Sequence, residues 1–259
     1  MKIEKIKEEK KKNKLSILLK DTDEVFANAI RRLILEEVPT LAVEDLEIKE
    51  NNSALYDEFI GLRLGLIPLK TDLKSYNLKE KCKCERAGCA QCELKITLKS
   101  GSKKGYVYAE DAQSADPKCV FAHPKMPIVK LLSKQKIDMT MTAILGTGRN
   151  HVKWSPGWAY FKKEPVLTVG KVSNPELVAE KCSDGVFTLK NKKLEVNEEK
   201  VYDSQLLDYY SELDKGITVE LTDNIIFTLE SWGQLSCKEI LSKSADIFID
   251  KTEEMEKLI

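Results

Sequence analysis

The chain has 259 residues, which is enough to bury a hydrophobic core without disulfide staples. Its 42 Lys and Arg residues balance 42 Asp and Glu residues, whereas a protein that mainly grips nucleic acid shows a basic excess. The first 14 residues are charged rather than apolar, and no run of about 18 apolar residues follows. These features argue against a signal peptide and a membrane span, and they predict a cytoplasmic protein.

The chain begins with a predicted strand and a predicted amphipathic helix. The apolar run at 15–20 predicts the strand. Residues 23–37 predict the helix, with Asp23 as its N-cap. The apolar residues that recur at helical spacing are Phe26, Ile30, Leu33 and Ile34.

Segment 41–50 predicts a strand with a change of phase. Leu41 and Val43 share one face of this strand. Leu46 and Ile48 fall on the other face. A slip of one residue within a strand is typical of a β-bulge.

The middle of the chain predicts another helix and several strands. Ser53 is the predicted N-cap of a helix over 54–67. Alternating apolar residues predict the strands that follow. These strands are 94–99, 136–145, a hairpin of 186–190 with 193–196 around Asn191, and two pieces within 218–231.

The C-terminal segment predicts a long amphipathic helix. Ser236 and Glu239 form a capping box, and an apolar stripe follows. Its members are Ile240, Leu241, Phe248, Thr252, Met255 and Ile259. Both chain ends therefore carry a strand and an amphipathic helix, and we expect them to pack as one domain with the middle inserted.

Cys82, Cys84, Cys89 and Cys92 lie within eleven residues and allow several interpretations: staples, metal ligands, a redox centre or free thiols. Cytosolic thiols stay reduced, which disfavours disulfides. Four thiolates suit tetrahedral zinc, and the spacing Cys89-x2-Cys92 is common in zinc knuckles. An iron–sulfur cluster also takes four cysteines, but the compact loop favours one structural zinc ion per chain.

Other candidate motifs carry less chemistry. The Gly-Thr-Gly-Arg segment at 146–149 lacks the Gly-Lys-Ser/Thr ending of a phosphate loop, so it predicts a turn. His123 and His151 are the two histidines of the chain, and neither lies in a nucleophile motif. We assign both to structural packing.

Three stretches of the sequence contain motifs typical of one protein family. They are FANAIRRLILEEVPTLAVEDLEIKENNSALYDEFIGLRLGLIPL (26–69), HPKMPIVKL (123–131) and HVKWSPGW (151–158). Together they resemble the α-like large assembly subunit of cellular DNA-directed RNA polymerases. The sequence is most similar to the archaeal form of this family and next to the eukaryotic third-largest subunit.

The resemblance implies an α+β fold with a divided dimerisation domain. That domain is built from both chain ends, 1–50 and 216–259. A mainly-β insert domain spans 51–170 and carries the cysteine loop 82–92. Residues 171–215 form a variable segment. They contain only Cys182, so the iron–sulfur cluster of many archaeal relatives is not expected there.

The resemblance also implies the partners and the site residues. The chain would pair with the small α-like subunit of the subunit L type and form the platform for the large catalytic subunits. The heterodimer seam would consist of Phe26, Ile30, Leu33, Ile34, Phe248 and Met255. Arg31 and Arg32 either line a solvated face or form ion pairs with a large subunit. The chain itself would be non-catalytic and would meet DNA only through the complex.

Two other functions remain as alternatives. A stand-alone zinc-containing nucleic-acid-binding protein is disfavoured by the zero net charge. An independent enzyme is disfavoured by the lack of a nucleophile motif or phosphate loop. The sequence also shows no cluster of aspartates that would chelate catalytic magnesium.

Overall fold

The computed structural model describes residues 1–100, 104–190 and 193–258. The helices are α1 (Glu24–Glu36), α2 (Asp57–Leu66), α3 (Pro175–Lys181), α4 (Glu198–Asp203), α5 (Leu207–Leu213) and α6 (Cys237–Glu256). The strands are β1 (Lys2–Glu9), β2 (Lys14–Lys20), β3 (Thr40–Asn51), β4 (Glu93–Ser100), β5 (Gly105–Tyr108), β6 (Ala112–Ser114), β7 (Pro127–Leu131), β8 (Ile137–Gly146), β9 (Gly157–Val169), β10 (Phe187–Lys190), β11 (Lys193–Val196) and β12 (Ile217–Ser231). The predicted α+β fold class is confirmed.

The described chain divides into two compact units. The first comprises 1–9, 15–28 and 160–228, and the second comprises 10–14, 29–159 and 229–259. These boundaries differ from the predicted domains. The segment predicted as variable, 171–215, falls into one unit with the N-terminal strands. It lies between β9 and β12 in the chain, and both of these strands belong to the same sheet as β1 and β2. Helix α6 falls into the second unit.

The first unit is built on a sheet of order β1-β2-β12-β9. Buried Glu164 on β9 accepts hydrogen bonds from the Tyr202 hydroxyl at 2.9 Å and from Asn224 Nδ2 at 2.8 Å. These bonds connect β9 to α4 and to β12. The antiparallel pairing of β10 with β11 confirms the predicted hairpin, and its predicted turn at Asn191 lies outside the described residues.

Segment 171–215 also forms a small core together with the adjoining ends of β9 and β12, and Tyr210 at its centre is fully buried. The buried members of this core are Val178, Val186, Phe187, Val201, Leu207, Tyr210 and Ile217. The sequence showed its least clear pattern here because α3, α4 and α5 are only six or seven residues long. Such short helices carry little apolar periodicity.

The second unit contains a sheet of order β3-β8-β4-β6 and the pair β5-β7. The predicted bulge in β3 is confirmed, since its register against β8 shifts between Val43 and Asp45 and again between Ile48 and Glu50. Val43 before the first shift is buried, and Ile48 beyond it packs against the same hydrophobic core. The bulge therefore keeps apolar residues of opposite phase on one side of the sheet.

Helix α2 packs closely against β3. Gly61 lies against the Leu46 side chain, and Gly65 lies against the Val43 carbonyl. The prediction that Ser53 caps this helix is wrong. Its hydroxyl donates instead to Asn51 Oδ1 at 2.7 Å, in a turn before the helix starts.

Helix α6 begins as predicted at a capping box. Glu239 N donates to Ser236 Oγ at 3.3 Å, and Ser236 N donates to Glu239 Oε2 at 2.8 Å. These bonds satisfy backbone donors that the first helical turn leaves unpaired. Within the described ranges, no helix combines the length and the apolar character needed to cross a bilayer.

Candidate functional site

The four clustered cysteines converge immediately before β4. The Sγ atoms of Cys82 and Cys89 are 3.6 Å apart, as are those of Cys84 and Cys92. The Sγ atoms of Cys89 and Cys92 are 3.7 Å apart, and all four lie within 4.8 Å of one another. Among the described residues, this is the only group of three or more cysteine, histidine or carboxylate side chains so arranged.

These separations fit one tetrahedral metal ion. Zinc–sulfur bonds of about 2.3 Å at tetrahedral angles place neighbouring sulfur atoms about 3.8 Å apart. The spacing is too long for a disulfide, whose sulfur atoms lie about 2.05 Å apart. The four side chains can therefore hold a single ion, with four protein ligands and no open position for a substrate.

The backbone of the loop supports this arrangement. Cys89 N donates to Cys92 Sγ at 3.3 Å, and Cys92 N donates to the Cys89 carbonyl at 3.0 Å. Gly88 has a φ of +90°, a left-handed conformation that glycine adopts without a Cβ clash. Glu85 and Arg86 also have positive φ, so the turn between the two cysteine pairs is unusually tight.

Neighbouring groups fix the loop to the fold. Asn77 N donates to the Gln91 carbonyl at 2.8 Å, and Lys79 pairs with Glu93 at 2.8 Å. Cys92 is fully buried at the start of β4. Burial raises the pKa of its thiol to about 12, whereas the hydrogen bond from Cys82 lowers the pKa of Cys84 to about 7. A cation at the centre stabilises all four thiolates together, because it offsets their mutual repulsion.

A second feature is an apolar groove between α1 and α6, with a volume of about 300 Å³. We call it the α1–α6 groove. Its apolar contacts come from Leu33 on one helix and from Phe248 and Met255 on the other. The full set of residues along it is Ala29, Arg32, Leu33, Glu36, Glu37, Arg149, Phe248, Lys251, Thr252 and Met255.

Charged residues at the rim of the α1–α6 groove pair with one another. Glu37 accepts from Lys251 Nζ at 3.1 Å and also forms an ion pair with Arg149. Arg32 Nε lies 3.3 Å from Glu36 Oε1. Three cations and two carboxylates therefore line the rim, so its net charge is only +1 and each charge has an opposite partner.

The predicted seam residues differ in exposure. Met255 is 60% exposed, while Phe26, Ile30, Leu33 and Phe248 are half-buried. Ile34 is fully buried within the chain, so the seam that we propose is restricted to the other five.

The other predicted residues occupy ordinary positions. Arg31 is half-buried, and Arg32 is exposed in its pair with Glu36. His123 Nε2 lies 2.9 Å from the Trp232 carbonyl, and His151 Nδ1 accepts from Lys153 N at 3.1 Å. Both histidines are exposed and bond to backbone atoms, so their role in structural packing stays a prediction.

Comparison with known proteins identifies the family. The family model described as the RNA polymerase Rpb3/RpoA insert domain matches residues 46–157. The DNA-directed RNA polymerase subunit Rpo3 of Methanosarcina acetivorans is 35% identical over 243 residues, covering 92% of this chain and 91% of the relative. The Rpo3 subunits of Archaeoglobus fulgidus and Pyrococcus furiosus are 34% and 35% identical, and each alignment covers at least 96% of both chains.

The chain belongs to the Rpo3 family of archaeal DNA-directed RNA polymerase subunits. It is therefore a transcription protein and part of a nucleotidyltransferase complex. The resemblance seen in the sequence is confirmed. The matched insert domain overlaps the predicted insert at 51–170 and contains all four clustered cysteines.

Part of the α1–α6 groove is not predictable from the sequence. Arg149 and Lys251 both pair with Glu37, although they come from distant parts of the chain. No local pattern signals such a pairing. It follows from the turn at 148–150, where Arg149 N donates to the Glu36 carbonyl at 2.9 Å.

Proposed function

We propose that this chain is a non-catalytic assembly subunit of the polymerase. It pairs through the α1–α6 groove with the small α-like subunit, and this cytoplasmic heterodimer is the platform for the large catalytic subunits. The observation that carries the proposal is the groove itself, where Leu33, Phe248 and Met255 form an apolar floor between the first and the last long helix.

Hydrophobic burial supplies the driving force for pairing. Met255 in the groove is 60% exposed, and Leu33 and Phe248 are half-buried. Burying a large apolar side chain stabilises a complex by about 1.5–3 kcal/mol. The rim charges are paired and leave a net charge of only +1, which adds little repulsion against a partner helix.

We also propose that the cysteine loop holds one structural zinc ion. Support comes from four sulfur ligands at tetrahedral separations and from the absence of an open ligand position. The ion would cross-link a loop that contributes little apolar core of its own. It takes no part in the chemistry of RNA synthesis.

Co-expression with the other polymerase subunits tests the pairing. Tagged chain should recover the small α-like subunit, and native mass spectrometry should show one copy of each in the smallest complex. Recovery of large subunits without the small subunit would contradict the proposed order of assembly.

A separate assay tests the non-catalytic role. The purified chain, incubated with template, magnesium and nucleoside triphosphates, should make no RNA, while the complete polymerase should make RNA under the same conditions. Template-directed synthesis by the isolated chain would overturn the assignment.

A further inference from the structure

A broad cavity lies in the second unit and has a volume of about 790 Å³. We call it the lysine cavity, because four separate segments of the chain bring lysines to it. These lysines are Lys11, Lys70, Lys74, Lys118 and Lys243. Small-molecule sites in proteins have volumes of about 300–1,000 Å³, so the lysine cavity is large enough for a ligand as big as a nucleotide.

The lysine cavity carries excess positive charge. Five lysines and three carboxylates line it and leave a net charge of +2, although the whole chain has a formal net charge of zero. Among the described residues, only Lys118 of the five forms an ion pair, in which its Nζ lies 3.7 Å from Asp72 Oδ2. Like charges that converge without counter-charges repel one another, so an anion bound between them is stabilised.

Two of the carboxylates in the lysine cavity already serve the local backbone. Asp72 accepts from Lys74 N at 3.0 Å and from Ser75 Oγ at 2.9 Å. Glu239 accepts from Ser236 Oγ at 2.6 Å and from Ser236 N at 2.8 Å. These hydrogen bonds hold the pKa of both carboxyl groups below the ordinary value. The two carboxylates therefore stabilise a turn and a helix cap, and they leave the neighbouring lysines without close counter-charges.

Backbone hydrogen bonds join the walls of the lysine cavity. Thr71 N donates to the Gln234 carbonyl at 2.9 Å and joins the segment of Lys70 to the residues just before α6. Ser231 N donates to the Asn13 carbonyl at 2.9 Å and fixes the segment after Lys11 near the same place. A preformed site loses little conformational entropy when a ligand binds.

One buried acceptor at the lysine cavity lacks a donor. Gln234 lines the cavity and is 4% exposed, and its Nε2 donates to the Ser155 carbonyl at 3.3 Å. Its Oε1 has no hydrogen-bond partner within the described part of the chain. Buried polar atoms are rarely left unpaired, so this wall of the cavity still requires a donor from water or from a ligand.

The lining residues indicate the chemistry of the anion. The planar fork of an arginine matches a carboxylate best, and the described lining of the cavity contains lysines but no arginine. An ammonium group binds phosphate as a point charge. Several such groups suit an anion that concentrates several charges, as linked phosphate groups do. A long nucleic-acid strand instead needs a basic track, and the zero net charge of the chain does not favour one.

We propose that the lysine cavity binds a small polyphosphate anion, such as pyrophosphate or the triphosphate group of a nucleotide. Lys11, Lys70, Lys74 and Lys243 neutralise the charge of the anion. This site is separate from the proposed assembly function, since none of its lining residues lies in the α1–α6 groove.

Isothermal titration calorimetry of the purified full chain with tripolyphosphate tests the proposal. One anion should bind per chain, and the affinity should fall as salt is added. The double variant Lys70→Glu and Lys74→Glu should bind roughly tenfold more weakly or worse. The control Lys49→Glu and Lys193→Glu makes the same change of net charge at exposed lysines outside the cavity, and its affinity should stay within about twofold of the wild type. Circular dichroism checks the fold of each variant.

Other anions identify the ligand class. Pyrophosphate and ATP should compete with tripolyphosphate, and their relative affinities show whether the nucleoside adds to the contact with the phosphates. Citrate carries several charges without phosphate and should bind at least roughly tenfold more weakly than tripolyphosphate. Equal affinity for citrate would show a merely basic surface and would overturn the proposal.

Amide hydrogen exchange locates the bound anion independently of any substitution. Exchange in 70–75 and 234–243 should slow when tripolyphosphate is added, while exchange in 187–196 should not change. The inference fails if no saturable binding occurs, if both double variants lose affinity equally, or if exchange in 70–75 and 234–243 is unaffected. It also fails if an RNA oligonucleotide binds more tightly than tripolyphosphate, because the surface is then a contact for nucleic acid.

Discussion

At the scale of single residues, Cys84 and Cys92 show how a short loop is held without a core. Their sulfur atoms are 3.6 Å apart, although Glu85, Arg86 and Gly88 between them all adopt left-handed backbone conformations. Left-handed conformations at non-glycine residues are unfavourable, so the sulfur cluster must supply the compensating stability. The proposed metal ion would do this directly, since ligand binding and folding share one free energy.

Cys89→Ser should therefore lose most of its metal and loosen the loop, while leaving the sheet of β3, β8, β4 and β6 intact. The wild-type chain should hold about one zinc per molecule by elemental analysis. Cys119→Ser is the matched control, because Cys119 is buried outside the cluster. Stoichiometric metal in a folded Cys89→Ser chain, or iron in the wild type, would contradict the zinc assignment.

Gly148 has a structural role of another kind. A Cβ atom at this position would meet the Leu35 carbonyl of α1 at 1.9 Å. Gly148→Ala must push the turn away from the end of α1, and we expect it to lower the free energy of unfolding by about 2 kcal/mol or more. Gly65→Ala is the control, since its Cβ would lie 3.6 Å from the nearest backbone atom. Urea unfolding of both variants measures the difference, and equal stability would rule out the close approach.

Asp184 couples stability to pH. Burial alone would raise the pKa of Asp184, but hydrogen bonds from Ser204, Tyr210 and Cys182 outweigh it and leave the pKa below its ordinary value. Its stabilising effect is therefore fully present above the unfolded pKa of about 3.9 and is lost as the pH falls through the lower folded pKa. Asp184→Asn should reduce stability at pH 7 and flatten the loss of stability below about pH 4. Exposed Asp208→Asn is the control, and parallel acid-unfolding curves for Asp184→Asn and the wild type would contradict this role.

Residues that act locally were predictable, and residues that act through distant contacts were not. The cysteine cluster was found because all its ligands lie in one short segment. The turn at Gly148 was predicted, but its contact with Leu35 was not, because more than one hundred residues separate them.

At the scale of secondary-structure elements, helix starts were predictable from the sequence where the capping side chain bonds within the first turn of its own helix. Asp23 Oδ1 accepts from Phe26 N at 2.8 Å, and the Ser236 box starts α6 as expected. Ser53 does not cap α2, because its hydroxyl donates a hydrogen bond to the Asn51 side chain. Strand β12 was predicted as two pieces, but Thr222 and Asn224 bond to Glu164, so tertiary contacts keep the strand continuous.

Ser236→Ala should weaken α6 by removing the side-chain acceptor of its capping box. The expected loss is about 1 kcal/mol in the free energy of unfolding. Ser242→Ala, at an exposed interior position of the same helix, should be neutral or slightly stabilising because Ala favours helix interiors. Urea titrations of the two variants measure this difference, and an unchanged midpoint for Ser236→Ala would show that the cap contributes nothing.

At the scale of the whole molecule, the α1–α6 groove is built from sequence segments near opposite ends of the chain. Amphipathic periodicity predicted both helices and most of their apolar residues, but it carries no information on which helices face each other. The family resemblance supplied that expectation. Periodicity also could not separate Ile34, which the chain buries itself, from Leu33, which lines the groove.

The heterodimer seam is tested most sharply by measuring how much small α-like subunit a chain with a charged groove recovers. The double variant Phe248→Glu and Met255→Glu should remain folded by circular dichroism and lose the small subunit and the large subunits together, because two carboxylates would have to be buried in the seam. The control Leu221→Glu changes an exposed residue of β12, and it should recover the small subunit and the large subunits normally. If the folded double variant instead enters the complete polymerase at the yield of the wild type, the α1–α6 groove is not the heterodimer seam.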